Sequence, residues 1–322
     1  ALHCSVVLMK WLLLAAVPVV ARTQDYDTAL AKKLVLLSDA AYCGDATHGG
    51  TEGVREWTCA PCQAGASLSN ISVFANSLAQ TFGFAGVTAG WDEGQHIVVS
   101  FRGSVLDRNF ADDADVQLVA DPSGRAGRVH RGMHRSFVSV APQMLERVRS
   151  LLAGFPDARG VLITGHSLGA AQAVLATDEL AAAHPGVSVT AYTFGTPRVA
   201  DLAFARRLAA TPNLQAWAVS HRADTVPMCG ILPWPCRRAR EGYHQLLSSV
   251  WYPDGLAPVG PSGYILCGDG GSEGERCEDG VPPRLLNWDD HNLYLGHTMF
   301  CCDGGSHGTS GSGCPFPFRS PA

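Results

Sequence analysis

Three stretches of the chain carry the pattern Gly-x-Ser-x-Gly, in which a serine between two glycines can act as a nucleophile. They are centred on Ser167, Ser272 and Ser306. Only Ser167 follows a short apolar run typical of a buried strand (161–164) and precedes an Ala- and Leu-rich segment typical of a helix (170–183). A strand, a sharp turn and a helix expose a serine hydroxyl at a sheet edge and direct helix amides towards it. We therefore predict that Ser167 is the nucleophile and that the other two serines lie in glycine-rich loops.

A serine nucleophile needs a general base and an acid that orients this base, and the chain offers several candidates downstream of Ser167. In strand–turn–helix arrangements of this kind the acid and then the histidine follow the serine along the chain. The candidates are Asp224, Asp254, Asp289, Asp290, His221, His244, His291 and His297. Asp224 is favoured because it lies in the loop after a predicted strand at 216–219, and His244 is favoured as a hydrogen-bonded strand residue. The residues alone leave several combinations open.

Strand and helix patterns alternate around Ser167. We predict a helix at 25–37 that packs across the sheet edge, a strand at 96–101, a helix at 137–152, a strand at 187–194 and a helix at 200–210. Alternation of this kind indicates an α/β fold in which helices cover both faces of a mainly parallel sheet.

Composition limits the classes of protein that the chain can represent. Its 322 residues allow one large domain or two small ones, and 46% of them are hydrophobic, which is enough for a large core. Charged residues make up 16% and the formal net charge is −5, so no basic surface for nucleic acid is expected. No arrangement of residues points to a metal or an organic cofactor.

The N-terminal segment has the features of a secretory signal peptide. Lys10 supplies positive charge, an apolar stretch follows at 11–20, and small or modest side chains precede a cleavage point near Ala21. The stretch is too short for a membrane span, which needs about 20 apolar residues. We predict a signal peptide at 1–21, one catalytic domain at 22–302, a Gly- and Ser-rich tail at 303–322, and secretion without a membrane anchor.

Cysteine usage supports an oxidising compartment. Of the eleven cysteines, Cys4 lies in the predicted signal peptide, and the remaining ten can all pair. Cys59 and Cys62 are predicted to form a structural bridge rather than a redox pair or half of a zinc site, because no second cysteine pair stands at a similar spacing. Asn70 opens the only Asn-x-Ser/Thr sequence of the chain, which gains a meaning if the chain is secreted.

Several further motifs, in the same order along the chain, resemble those of the class 3 (fungal-type) triacylglycerol lipases, a family that also includes feruloyl esterases. The motifs are SDAAYC at 38–43, VSFRGS at 99–104, VHRG at 129–132, GHSLG at 165–169, TFGTPRV at 193–199, RADTVP at 222–227 and DHNLYLG at 290–296. The resemblance covers roughly residues 30–303. It implies an α/β-hydrolase fold.

The resemblance also implies roles for individual residues. Ser167 matches the nucleophile, Asp224 the orienting acid and His291 the general base. Ser104 and Leu168 match the two positions whose backbone N–H groups form an oxyanion hole.

The disulfide pairing is likewise implied by the resemblance. It suggests bridges between Cys59 and Cys62 and between Cys267 and Cys277, and it joins Cys43 to Cys301 or Cys302. Cys229 with Cys236 is an extra bridge beside the loop of the acid, and Cys314 takes the remaining C-terminal partner.

Two departures from the family pattern bear on the substrate. Ala170 stands where most members have glycine, a variant that also occurs in the feruloyl esterase branch. The expected lid, 105–116, has Leu106 and Phe110 on one helical face but carries four aspartates. An acidic lid argues against marked interfacial activation and against binding to anionic membranes.

Together these features predict a secreted serine carboxylic-ester hydrolase, a triacylglycerol lipase that works through a Ser-Asp-His triad and an acyl-enzyme. The alternative within enzymes is a feruloyl-type or short-chain esterase. The alternative from another class is a catalytically silent lipid-binding relative, which loss of a triad residue would indicate. We expect a monomer whose partner is a lipid or other ester substrate, at a lipid–water interface for the lipase, with no nucleic acid and no stable membrane span. Acyl-chain length and positional preference are left open.

Overall fold

A computed structural model describes residues 25–44, 50–65, 67–105, 115–229, 241–245, 248–256, 260, 262–267 and 277–301. The predicted signal peptide, the tail and most of the expected lid (106–114) lie outside the described residues, as do Ser272 and Ser306.

An eight-stranded sheet forms the centre of the molecule, with two short hairpins beside it. The strands are β1 Leu68–Asn76, β2 Thr81–Thr88, β3 Ile97–Phe101, β4 Leu118–Ala120, β5 Arg128–His130, β6 Val161–His166, β7 Val189–Phe194, β8 Leu214–His221, β9 Ser249–Tyr252, β10 Ile265–Cys267, β11 Leu293–Tyr294 and β12 His297–Thr298. The order in the large sheet is β1-β2-β3-β6-β7-β8-β9-β10, while β4 pairs with β5 and β11 with β12.

The direction of the strands confirms the predicted α/β-hydrolase sheet. Strands β3, β6, β7, β8 and β9 run parallel to one another, whereas β1 and β2 at one end and β10 at the other pair antiparallel. Every residue of β3 and of β6 is buried. Continuous apolar strands of this type occur where helices cover both faces of a sheet.

Two of the α-helices begin where an aspartate side chain accepts from their first backbone amides. They are α1 Thr28–Ala40, α2 Glu52–Arg55, α3 Ala60–Gln63, α4 Arg131–Val138, α5 Ala141–Gly154, α6 Leu168–Ala183, α7 Leu202–Ala210 and α8 Thr225–Cys229. The Asp27 carboxylate accepts from the amides of Ala29 and Leu30, at 2.8 and 3.0 Å. Asp201 accepts from the Phe204 amide at 3.0 Å, so α7 begins two residues later than predicted.

Alternate residues of the central strands lie on opposite faces of the sheet and pack into two separate hydrophobic clusters. Ile97, Val99 and Phe101 pack in one cluster with residues of α4 to α7, and Val98 packs in the other with residues of α1. Helices therefore cover both faces of the sheet, as the period-2 geometry of a strand requires.

The first helix lies over the middle of the sheet, so the predicted packing across its edge was wrong. The Ser100 hydroxyl donates to the Leu37 carbonyl at 2.9 Å, and the Ser38 and Thr164 hydroxyls are 2.7 Å apart. Leu34 and Leu37 are fully buried. A helix with such an apolar stripe needs a sheet face rather than an edge, and small hydroxyl side chains let it approach closely.

The single helix predicted at 137–152 is two helices. α4 ends at Val138 and α5 begins at Ala141. The Ser139 hydroxyl donates to the Ser136 carbonyl at 2.7 Å, which closes the first helix. Pro142 has no N–H to donate and fits the first turn of α5 but not the interior of a longer helix. The apolar spacing continued across the break and concealed it.

Three of the implied disulfides are present, Cys43–Cys301, Cys59–Cys62 and Cys267–Cys277. The first of them decides between the two partners suggested for Cys43. Cys236, Cys302 and Cys314 lie outside the described residues. Within the described ranges, no helix combines the length and the apolar character that a bilayer crossing requires.

Candidate active site

Ser167 occupies a strained turn between β6 and α6. Its backbone has φ 59° and ψ −130°, a conformation that side chains rarely adopt and that active sites retain. The Ser167 amide donates to the Phe194 carbonyl at 3.0 Å. A Cβ on Gly165 would lie 2.3 Å from the Gly169 carbonyl oxygen, so the turn can close only with glycine there. This geometry is the strand–turn–helix elbow that presents a nucleophilic hydroxyl.

The Asp224 carboxylate, in the loop after β8, is completely buried and accepts three hydrogen bonds. The Val226 amide donates to its Oδ1 at 2.8 Å. His291 Nδ1 lies 2.8 Å from its Oδ2, and the Tyr294 hydroxyl donates to the same oxygen. Because a carboxylate only accepts, Nδ1 carries a proton. When the imidazole is neutral, its Nε2 therefore has the lone pair that could take the proton of a serine hydroxyl.

The His291 ring is held by neighbours on several sides. It lies in a short 3₁₀ turn, Asp290–Asn292, and is 4.5 Å from the ring of His166 between centroids. The Trp288 indole packs nearly perpendicular to it, with the two ring centroids 5.6 Å apart. A Cβ on Gly195 would come within 2.8 Å of its Cε1. The ring therefore has little room to leave Asp224.

A second hydrogen-bond chain reaches His291 through its backbone. His166 Nε2 is 2.8 Å from the His291 carbonyl oxygen, so this nitrogen must be the donor. The other ring nitrogen, Nδ1, then accepts from the Tyr42 hydroxyl at 2.7 Å. Burial lowers the pKa of His166 well below its usual value, which keeps the ring neutral.

Sequence reasoning missed Tyr42, His166 and Tyr294, although each had a signal. His166 stands inside the GHSLG motif, Tyr42 lies inside the SDAAYC motif, and Tyr294 follows His291 by three residues. Their roles depend on contacts between distant segments, such as the separation of 124 residues between Tyr42 and His166. No local pattern encodes such contacts.

Leu168 follows the nucleophile directly, and the segment that carries Ser104 runs beside it. Leu168 is the first residue of α6, where backbone N–H groups have no partner within the helix. The segment from Arg102 to Ser104 follows β3 and runs directly beside the elbow. A Cβ on Gly103 would lie 2.7 Å from the His166 carbonyl oxygen and 3.1 Å from the Ser167 Cβ. Backbone amides from two segments can thus converge near Ser167, which is the requirement for an oxyanion hole.

A second His–Asp pair lies near this site but is built differently. His221 Nε2 is 3.0 Å from Asp254 Oδ2, and His221 Nδ1 is 3.1 Å from the Asp290 carbonyl oxygen. Both ring nitrogens are therefore engaged, and neither is left to take a proton from a serine. The Asp290 carboxylate accepts from the Ala223 amide at 3.0 Å and so supports the loop of Asp224.

The other candidate histidines are also engaged elsewhere. His297 Nε2 lies 2.9 Å from the buried carboxylate of Asp39, which also accepts from the Cys301 amide at 2.7 Å. His244 forms an isolated bridge with Ala200, and its Nδ1 is 2.6 Å from the Gln245 carbonyl oxygen. In the part of the chain that the structure describes, no cluster of three His, Cys, Asp or Glu side chains could hold a metal.

The C-terminal end of the expected lid is fixed to the core. The Asp115 carboxylate contacts the Arg131 and Arg135 guanidinium groups at 2.6 and 3.0 Å. The hydrogen bond from Arg131 holds the pKa of Asp115 below its usual value. The Tyr243 hydroxyl donates to the Val116 carbonyl at 2.8 Å. At least one of the lid's acidic residues therefore has a structural role.

Comparison with known proteins gives one family and a consistent set of relatives. Residues 98–232 match the family Lipase (class 3). A lipase from Rhizomucor miehei is 31% identical over 194 residues, which are 59% of this chain and 51% of that protein. A phospholipase A1-II from Oryza sativa subsp. indica is 31% identical over 180 residues, which are 44% of each. The chain spans about half the length of the curated relatives it matches.

Solved structures extend the similarity to the whole fold. The triacylglyceride lipase of Rhizomucor miehei has a TM-score of 0.67 at 26% identity, with 85% of this chain and 96% of that one covered. A triacylglycerol lipase whose catalytic centre is formed by a serine protease triad has a TM-score of 0.68 at 27% identity and the same coverage. These likenesses agree with the sheet order and the elbow described above.

Proposed function

We propose that this chain, which matches the class 3 lipase family over residues 98–232, is a secreted serine hydrolase that cleaves the ester bonds of lipids. Ser167, His291 and Asp224 act as nucleophile, general base and orienting acid. The observation that carries the proposal is the 2.8 Å contact between His291 Nδ1 and the buried Asp224 carboxylate, combined with a serine on a strained elbow.

The proposed reaction proceeds through an acyl-enzyme. His291 Nε2 takes the proton of the Ser167 hydroxyl as Oγ attacks the ester carbonyl, and the charge that develops on the carbonyl oxygen is stabilised by the amides of Ser104 and Leu168. The imidazolium then protonates the leaving alcohol. Water, activated by the same nitrogen, releases the acid and regenerates Ser167. Each oxyanion donor contributes about 3 kcal/mol to stabilising the transition state.

Triacylglycerol is the substrate that we propose first, because the relatives named as triacylglycerol lipases match over most of the fold. The similarity to a plant phospholipase A1 makes phospholipid the second candidate. Ala170 and the acidic lid favour a feruloyl-type or short-chain esterase as the third. All three share the acyl-enzyme chemistry, so the substrate has to be decided by assay.

The test compares the purified protein with its Ser167→Ala variant on four substrates: a short soluble ester, a feruloyl ester, emulsified triacylglycerol and phospholipid vesicles. Cleavage of the emulsion that rises sharply once an interface forms, together with an inactive variant, supports the lipase. Cleavage of only the soluble or feruloyl ester supports an esterase. If wild type and variant are equally inert on every substrate, the enzymatic proposal fails and a silent lipid-binding protein takes its place.

Secretion and a monomeric state complete the proposal. The described disulfides favour an oxidising compartment, since cytosolic thiols stay reduced. Expression of the full chain with its own N-terminus in a eukaryotic host tests secretion by the protein's recovery from the medium, and light scattering on the product tests the monomer. Retention of the active protein inside the cells would contradict secretion without affecting the catalytic proposal.

A further inference from the structure

Asn70 opens the only Asn-x-Ser/Thr sequence of the chain and lies exposed on strand β1. Its backbone has φ 52°, in the left-handed region that asparagine tolerates better than most residues. β1 is at one end of the sheet order, and in the described part of the chain no strand pairs with its outer side. The amide is therefore on an accessible strand edge.

A β-bulge directs this asparagine away from the sheet. Ser69 pairs with Val87 and Ser72 with Ala85, so two residues of β1 face Gly86 alone. A Cβ on Gly86 would be 3.2 Å from the Ile71 side chain, which occupies that space. Asn70 is the exposed residue of the bulge, and the hydrogen bond that its Nδ2 makes is a long one, 3.4 Å, to the Ser69 hydroxyl.

We propose that Asn70 carries an N-linked glycan. The inference rests on one part of the proposed function, secretion, here through a eukaryotic route, and on none of the catalytic chemistry. In the transfer, Asn70 Nδ2 forms a bond to the anomeric carbon of an oligosaccharide held on a lipid diphosphate. The bond from that carbon to the diphosphate oxygen breaks, the amide loses one proton, and the lipid diphosphate leaves. Ser72 supplies the hydroxyl that the acceptor sequence requires.

The position of Asn70 keeps a glycan away from the catalytic residues. Ser69 is in register with Val87, and Val87 with Ile97, at the start of β3. The elbow follows the other end of the sheet, where Phe101 is in register with Gly165. Ile97 and Phe101 are four residues apart on β3, so the bulge end and the elbow end of the sheet are separated by about 13 Å along the strand direction. A glycan at the bulge therefore covers an open strand edge, a place where chains otherwise associate, without closing the site.

The experiment expresses the full chain behind a cleavable heterologous secretion leader in yeast, so that entry into the secretory route does not depend on residues 1–21. Four versions are compared: wild type, Ser72→Ala, Ser72→Thr and Ser167→Ala. Each is recovered from cells and medium and weighed by mass spectrometry before and after treatment with peptide N-glycosidase. Ser72→Ala removes the acceptor sequence but keeps Asn70 and its left-handed backbone, and Ser72→Thr restores it.

Wild type, Ser72→Thr and Ser167→Ala are expected to lose the mass of an oligosaccharide on treatment, with Asn70 converted to aspartate, whereas Ser72→Ala starts at the bare polypeptide mass. Specific activity of wild type and Ser72→Ala should agree within about twofold, because the bulge is remote from the elbow. The proposal is overturned if folded wild type from the medium already has the bare mass. Glycosylated but inactive protein would refute the proposed enzyme function alone.

Discussion

A carboxylate without any exposed surface is costly unless donors surround it, and Asp224 has three. Two of them, His291 Nδ1 and the Tyr294 hydroxyl, meet at the same oxygen. Burial and the neighbouring Asp224 charge raise the pKa of Tyr294 well above its usual value, so its hydroxyl stays protonated and keeps donating. Tyr294 thus fixes the carboxylate that in turn orients the base.

Replacement of Tyr294 by phenylalanine tests this positioning role. We expect Tyr294→Phe to lower kcat about tenfold with little change in KM, because a hydrogen bond to a charged group contributes about 1.5–3 kcal/mol and the carboxylate loses one of its constraints. Steady-state kinetics on a soluble ester measure the effect. Tyr26→Phe is the matched control, since its hydroxyl contacts that of Tyr252 rather than the Asp224 carboxylate. Equal kcat values for the two variants would contradict the role.

His166 predicts a pH dependence of stability. In the folded protein burial lowers its pKa well below the usual value of 6.5, so below that pH the unfolded chain binds a proton that the folded protein excludes. Stability attributable to His166 is therefore present above about pH 6.5 and is lost as the pH falls, by about 1.4 kcal/mol per pH unit, until the folded pKa is reached.

The variant His166→Gln isolates this contribution, because glutamine does not titrate and can still donate to the His291 carbonyl. Urea unfolding between about pH 7 and about pH 5 should give a steeper loss of stability for wild type than for the variant. His96 and His134, whose pKa values are also lowered by burial, act equally in both proteins. Parallel stability curves would mean that His166 is protonated as readily in the folded state as in the unfolded one.

At the scale of elements, the elbow depends on the contact between β6 and the first turn of α6. Gly165→Ala would bring a Cβ to 2.3 Å from the Gly169 carbonyl oxygen, which is backbone and cannot rotate away. We expect a loss of about 1–3 kcal/mol in stability and about a hundredfold in kcat, because a small displacement of the nucleophile is enough. Thermal unfolding and ester kinetics measure both effects.

The matched control is Gly154→Ala at the end of α5. An added Cβ there has nothing within 4 Å, and the backbone is not in the left-handed region. Its stability should stay within about 0.5 kcal/mol of wild type and its activity should be unchanged. A Gly165→Ala protein that behaves like this control would show that the elbow can relax around a methyl group.

The elements that could be predicted from sequence are those whose own pattern decides their structure. β3, β6 and the helix after Ser167 follow from continuous apolar runs and from Ala- and Leu-rich spacing. The break between α4 and α5 and the seat of α1 on the middle of the sheet could not be predicted, because both depend on contacts with distant segments. Ser100 with Leu37 is one such contact, 63 residues apart.

The same distinction applies to the site. The motif around Ser167 has a local geometry, whereas the base could be chosen among four histidines only through a family resemblance. In the folded chain the contacts of each histidine distinguish them. His221 and His297 pair with other carboxylates, whereas His291 Nδ1 lies 2.8 Å from the buried Asp224 carboxylate. The supporting residues Tyr42 and Tyr294 follow from that same packing.

Across the whole molecule, the bridges differ mainly in the length of chain that they close. Cys43 and Cys301 are 258 residues apart, whereas Cys59 and Cys62 are three apart. In the loop-entropy description, removing the long bridge costs about 5.5 kcal/mol and removing the short one about 1.8 kcal/mol. Of the three described bridges, the long one is therefore expected to contribute most to stability.

The double variants Cys43→Ser with Cys301→Ser and Cys59→Ser with Cys62→Ser compare the two bridges directly. The first should lower the free energy of unfolding by roughly three times as much as the second in urea titration, at equal m-values. Equal losses would indicate that native packing, rather than loop closure, sets the contribution of each bridge.

The contacts of Asp39 can form only after the C-terminal part of the described chain has been synthesised. The carboxylate belongs to the first helix, yet its partners, the His297 ring and the Cys301 amide, leave the ribosome more than 250 residues later. Until then a charge destined for the interior has no counterpart, and the thiol of Cys43 has no partner at 301. Helix α1 is thus completed only after most of the chain that follows it has been translated, and a nascent chain stopped before residue 297 lacks both of these partners of Asp39.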